Sequence, residues 1–187
     1  MTNIAHIIDA TNQYGETPIV VAAKLRYWNI VHFLLNKGAD PMIPTLSGQT
    51  LLHLAASDGR VGVINAIFRD DRVDLKPINS KDGFDGNTPL HLAMLSEDLP
   101  ATKALLDHGA DQTVSNKHGW TLLHHAAENR WVRIAEQLLL VNANPNYVNH
   151  QDDKTRTPLH LAVLRFQFYR DTRTISMVRL LLQNGAD

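Results

Sequence analysis

The sequence predicts an all-α solenoid, a stack of short helix–turn–helix units joined by hairpin-like finger loops. Three observations predict it. The octad Gly86-Asn87-Thr88-Pro89-Leu90-His91-Leu92-Ala93 has four counterparts, starting at Gly15, Gly48, Gly119 and Thr155. Their threonines, Thr17, Thr50, Thr88, Thr121 and Thr157, follow one another at 33, 38, 33 and 36 residues. A second phrase, Gly38-Ala39-Asp40 and Gly109-Ala110-Asp111, begins 21 residues after a Thr, and returns as Asn142-Ala143-Asn144 and Gly185-Ala186-Asp187. Between the two phrases, apolar residues recur at i, i+3 and i+4, the spacing of one helix face. Self-similarity at this period marks supersecondary units that bury their apolar faces only by stacking.

Each unit carries its own start and stop signals. Thr17 suits the N-cap, where its hydroxyl can accept a bond from a free helical N–H, and Pro18 suits the first helical position. Ile19, Ala22 and Ala23 then form the buried stripe of a helix A, its small alanines letting a neighbour approach. Helix B, from Asn29 to Lys37, presents Ile30, Val31, Phe33, Leu34 and Leu35. Gly38 ends it as a residue able to take φ > 0. Repeat two follows through Thr50, Ala55, Ala56, Val63, Ile64, Ile67 and Phe68, with Leu51 in place of Pro. From Asp74 to Gly86 the sequence predicts a long turn-rich connection. Repeat three has Met94 for the second Ala and a first-turn Pro100. Repeat four carries Leu122 for Pro, then Ala126, Ala127, Ile134, Leu138 and Leu139. Its Asn142 replaces the terminal Gly and is expected to take the left-handed conformation. In repeat five, 13 residues separate Val163 from Met177 where repeat one has 6 between Ala23 and Ile30. The surplus, about two helical turns, predicts that both helices lengthen at their junction into a protrusion.

This pattern resembles the ankyrin repeat, with its period of about 33 residues and T-P-L-H-x-A signature. The resemblance covers nearly the whole chain and implies one array, with repeats at about 12–44, 45–79, 80–115, 116–149 and 150–187. It implies a noncatalytic protein-interaction scaffold, with contacts on the finger tips and the ends of helix A. Carried over by position, these are Tyr14 and Glu16, then Leu46 and Gln49, then Phe84 and Asn87, then Lys117, His118 and Trp120. An apolar or aromatic residue stands in each of the first four fingers: Tyr14, Leu46, Phe84 and Trp120. Such residues on solvated loops are enriched in binding hot spots, so Trp120 is expected to be exposed and its loss to leave stability unchanged. The competing reading folds some of them down onto the neighbouring finger. In the family the signature histidines are structural, bonding backbone between repeats.

The repeat-five protrusion is a second candidate. Arg165, Phe166, Phe168, Tyr169, Arg170 and Arg173 give it interface composition, against the simpler reading that the aromatics pack the longer helices. Trp28 and Trp131, at the A–B junctions, are read as covering the outer edges of the core.

Composition narrows the function further. The 187 residues hold 18 Lys+Arg against 19 Asp+Glu, a net charge of −1, so no global field draws nucleic acid or an anionic membrane. The absence of Cys excludes disulfides, thiolate zinc sites and a cysteine nucleophile. His53, His91, His124 and His160 invite a metal reading, but helices of adjacent repeats stand about 8–10 Å apart, too far for two imidazoles to share one zinc. Asp82-Gly83-Phe84-Asp85-Gly86 misses the spacing of a calcium loop, and no phosphate-binding or nucleophile motif occurs. No cofactor is expected. The N-terminus lacks the regions of a signal peptide and no apolar run reaches about 18 residues, so the reading is an intracellular, monomeric array. Ending at a repeat boundary, the sequence is expected to continue beyond Asp187. The alternative function is a substrate-targeting arm of a larger enzyme, or a host-directed bacterial effector, with the catalytic domain outside these residues. A mere spacer is a third reading, disfavoured by the finger aromatics.

Overall fold

The structure, a computed structural model, describes residues 7–69, 76–166 and 172–187. It divides into two compact units, Met1–Asp111 and Gln112–Asp187. No strand occurs among the described residues. The first unit contains α1 (Pro18–Lys24), α2 (Trp28–Asn36), α3 (Leu51–Ser57), α4 (Val61–Phe68), a 3-10 turn (Lys76–Asn79), α5 (Pro89–Leu95) and α6 (Leu99–Asp107). The second contains α7 (Leu122–Asn129), α8 (Val132–Val141), α9 (Pro145–Val148), α10 (Pro158–Phe166) and α11 (Thr172–Gln183).

Each unit is two layers of helices. In the first, α1, α3 and α5 pack in sequence as one layer, and α2, α4 and α6 as the other. In the second, α7 stacks on α10 and α8 on α11. The alanine pairs sit at the layer boundary: Ala55, Ala56, Ala126 and Ala127 are fully buried. Around them Leu51, Leu52, Ile64 and Ile67 close the first core, and Leu122, Leu123, Leu138 and Leu161 the second. Each such side chain contributes about 1.5–3 kcal/mol by leaving water. The first helices of each pair start where Thr meets Pro or Leu. Gly38 and Gly109 end α2 and α6 at φ +90° and +86°, as a C′ residue should.

Two expectations are corrected, for Asn142 and Thr17, while α2 keeps apolar residues on an exposed side. Ile30 and Phe33 are 42% and 59% exposed. Of the α2 stripe only Val31 is buried, because no helix pair among the described residues stacks on the outer side of repeat one. Asn142 is extended at φ −153° rather than left-handed. The chain needs no reversal there, since Asn144 caps a further short helix, its side chain accepting from the Asn146 N–H at 2.9 Å, and that helix buries Tyr147 and Val148. Thr17 is an N-cap by backbone geometry only. Its hydroxyl makes no cap bond and has no partner.

In repeat five α10 has 9 residues where α1, α3 and α5 have 7, and α11 has 12 where α2 has 9. Residues 167–171, and with them Tyr169 and Arg170, lie outside the described residues.

Candidate partner-binding surface

The fingers are built on one side chain each. Asn12 Oδ1 accepts the N–H groups of Tyr14 and Glu16 at 2.9 and 3.0 Å. Asp82 does the same for Gly86 and Asn87, and Asn116 for His118 and Trp120. Asp152 holds Lys154 and Arg156 at 2.9 and 2.8 Å, and Thr45 Oγ1 accepts from Gln49 at 3.1 Å. Sequence reasoning gave none of these residues this role, weighing Asp82 for a calcium loop. The signal was present: an Asn, Thr or Asp stands five residues before the signature Thr, or six where Gly83 is inserted. Such side chains mimic a backbone turn and tie the loop to itself.

Neighbouring fingers are then laced by backbone. Leu46 N–H donates to Tyr14 O at 3.1 Å, Gly83 to Ser47 O at 2.7 Å, and in the second unit Asp153 to His118 O at 3.2 Å. The approach is so close that a Cβ on Gly15 would stand 2.8 Å from the Leu46 nitrogen. Finger five breaks the rule, for the position of Gly15, Gly48, Gly86 and Gly119 is held by Thr155 at φ +58°.

Below the fingers, the signature histidines His53, His91 and His124 are buried, while His160 of repeat five is exposed. In repeats two to five the N-cap Thr N–H donates to His Nδ1 at 3.2 or 3.3 Å: Thr50 to His53, Thr88 to His91, Thr121 to His124 and Thr157 to His160. An acceptor Nδ1 leaves the proton on Nε2, and His124 Nε2–H donates to Arg156 O of the next finger at 3.1 Å. Burial is the main force lowering the His124 pKa, to about 4, with the nearby His150 and Arg156 helping, and the Arg156 carbonyl and Asp152 opposing. Burial also pushes His53 down, against the Asp82 charge and the backbone of Asn87 and Ser80. No hydrogen bond of good geometry completes His53 Nε2. His53 and His124 are thus neutral at pH 7 and act as structural pegs.

The finger residues singled out from sequence fall into three groups. Tyr14, Leu46 and Phe84 are 59%, 81% and 65% exposed, on three fingers of the first unit. Lys117 is also exposed, on finger four. Glu16 and Trp120 are engaged within the fold. Glu16 pairs with Lys24 at 2.6 Å and accepts from the Asn12 amide at 2.9 Å, and these contacts lower its pKa.

Trp120 is the main correction. It is half-buried, with its indole Nε1–H donating to Asp152 Oδ2 at 3.0 Å and its ring stacked on His124 and edge-on to His125. Arg156 lies over the same ring and pairs with Asp152 at 2.6 Å. Burial opposes the charge on Asp152, but Arg156, two backbone N–H groups and the indole outweigh it and bring the carboxyl to about 2. Arg165 and Phe166 lie at the end of α10.

The family model "Ankyrin repeats (3 copies)" matches in overlapping frames, residues 3–77, 29–116, 52–149 and 111–187. The chain belongs to the ankyrin-repeat family. Across 96% of its length it is 34% identical to mouse NF-kappa-B inhibitor delta and 29% identical to human transient receptor potential cation channel subfamily A member 1. It spans 60% of the former and 16% of the latter. Among solved structures, the ankyrin repeat domain of Bcl-3, described as a member of the IkappaB protein family, superposes with a TM-score of 0.78 at 29% identity, over 96% of this chain and 75% of that one. An inhibitor and a cation channel share these repeats, so the ankyrin likeness carries architecture and leaves the partner open. No helix among the described residues is long and apolar enough to cross a membrane.

Proposed function

We propose that this ankyrin domain is a noncatalytic protein-recognition module, and that its contact surface is the row of finger tips carrying Tyr14, Leu46 and Phe84. The observation that carries this reading is their exposure on loops that are otherwise rigid. Ordinary apolar residues leave water when they can. These three stand out on turns braced by Asn12, Thr45 and Asp82, and the backbone bonds between fingers hold them side by side. A rigid apolar row loses little conformational entropy on binding, so the contact area is converted to affinity with small cost. The proposed partner is a protein segment that buries apolar side chains against the row. The repeat-five residues Arg165, Phe166, Tyr169 and Arg170 are a second proposed contact, resting on composition alone. The relatives named as inhibitors of NF-kappa-B favour a protein partner and an intracellular setting. The array is proposed to act as a monomer and without a cofactor.

The test is a triple variant, Tyr14→Ser, Leu46→Ser and Phe84→Ser. It is expected to melt within a few degrees of the parent, since surface substitutions change stability by about 0.5 kcal/mol or less each. In affinity capture followed by mass spectrometry, a partner held by the parent should be missing from the variant. Capture of the same proteins by both would sink the finger row.

A further inference from the structure

At the A–B junction of repeat four the second unit has a cavity of about 420 Å³. Its described lining is Arg130, Trp131, Val132, Arg133 and Ile134 from that junction, and Arg173 from the first turn of α11. Three of these six residues are arginines and none is acidic. Arg133 and Arg173 are exposed, and no ion pair among the described residues engages either. Arg130, in the left-handed conformation at φ +60°, is engaged within the fold and acts as a wall. Trp131 is half-buried beside it and supplies an apolar side.

We infer that this cavity receives a phosphoryl group carried on a side chain of a partner protein. The charge selects an anion: Arg133 and Arg173 line one space, and no acidic side chain in its described lining balances them. The shape of the donors selects among anions. Each guanidinium presents a planar fork of N–H groups that matches two oxygens, of a carboxylate or a phosphate. A carboxylate balances one fork. A phosphoryl group carries about −1.5 to −2 charge and three acceptor oxygens, enough for both. The volume lies within the range of cavities that enclose small groups, about 300–1,000 Å³. It accommodates one modified side chain and a neighbour against the indole. A nucleic-acid backbone would need a basic stripe, and the chain as a whole has a net charge of −1. The inference rests on the protein-recognition reading and names a chemistry for its partner, but it uses none of the finger residues.

The test is nuclear magnetic resonance on the whole 187-residue chain, following the Trp131 indole N–H, assigned with Trp131→Phe. The probes are the peptide acetyl-Gly-phosphoserine-Gly-amide, its unphosphorylated form and inorganic phosphate. The phosphopeptide is expected to shift the indole signal saturably and the unphosphorylated peptide to leave it in place. Arg133→Gln with Arg173→Gln, both exposed and so harmless to folding, should weaken the phosphopeptide at least tenfold. Unchanged binding by that double variant, or no shift with the parent, overturns the site. Equal affinity for inorganic phosphate overturns the peptide assignment in favour of a free phosphoryl compound. The Tyr14/Leu46/Phe84 variant should bind the phosphopeptide as the parent does, so failure of the finger row and failure of this cavity are separate results.

Discussion

Tyr14 and Trp120 both sit in fingers, three residues and one residue before their signature Thr, and they meet different surroundings. The position next to the Thr is the base of the finger. It holds Glu16, Gln49, Asn87, Trp120 and Arg156, and none of these is exposed. Three or four residues before the Thr lies the tip, where Gln13, Tyr14, Leu46, Phe84, Asp85, Lys117, His118, Asp153 and Lys154 are exposed and Ser47 alone is half-buried. Base residues are engaged from their own repeat or the next finger: Glu16 meets Asn12 and Lys24, Arg156 meets Asp152, and Trp120 reaches Asp152 of the following finger. An indole there finds Asp152, Arg156 and two imidazoles within reach. Two residues of offset thus turn an aromatic from a contact surface into a brace.

The largest expected effect comes from titrating beneath the brace. His124 has an ordinary pKa of 6.5 when unfolded and about 4 in the fold, so the unfolded chain takes up a proton first. Its contribution is complete above pH 6.5 and is lost as pH falls from there to about 4. The gap corresponds to about 3 kcal/mol. Asp152 keeps its charge down to about pH 2, so its own contribution, present above pH 3.8, does not begin to fall until the loss from His124 is nearly complete. Urea midpoints measured at pH 7.5 and 4.5 should differ accordingly, and the difference should shrink in His124→Gln. A flat profile would mean that the base is looser than drawn.

Next in size is Trp120→Ala, expected to cost about 2 kcal/mol. Fully buried aromatics cost about 3–5, and this one is half-buried but also leaves the Asp152 carboxylate one donor short. Leu46→Ala at a tip is the control, expected within about 0.5 kcal/mol. Equal urea midpoints for the two variants would erase the distinction between base and tip.

That distinction also marks the limit of the sequence. Helix pairs, their threonine starts and their glycine ends were legible, because capping and left-handed backbone are local requirements. The alanine faces were legible because their spacing repeats. Which way a finger residue points was not, since it depends on hydrogen bonds to the next finger, about 32 residues away in the case of Trp120 and Asp152. The fate of Asn142 was hidden for a related reason: the following Asn144-Pro145 pair offered the chain a capped turn in place of a left-handed one.

Smaller effects should appear where single fingers depart from the rule. Thr155 is a β-branched residue at φ +58°, where its counterparts are glycines at about +70°. Thr155→Gly removes that strain at the loss of one local bond, Oγ1–H to Lys154 O. A gain of about 1 kcal/mol is expected. A loss would show that the Thr155 hydroxyl contributes more to finger five than its backbone strain costs.

The smallest effect separates repeat one from the others. Its octad has Val20 where the rest have a histidine, so Thr17 has no imidazole to meet and its buried hydroxyl stands without a partner. Thr121, at the same position in repeat four, lies 2.9 Å from His124 Nδ1 and, with that nitrogen already an acceptor, donates to it. Valine has nearly the shape of threonine and no polar atom. Thr17→Val should therefore gain a few tenths of a kcal/mol, by relieving an unmatched desolvation, while Thr121→Val should lose about 1 kcal/mol by deleting a donor from a buried pair. Urea midpoints moving in opposite directions would confirm that the threonine matters for its histidine partner and not for the helix start alone. A loss in both would place the value of the threonine in the cap itself, and repeat one would then be as complete as repeat four.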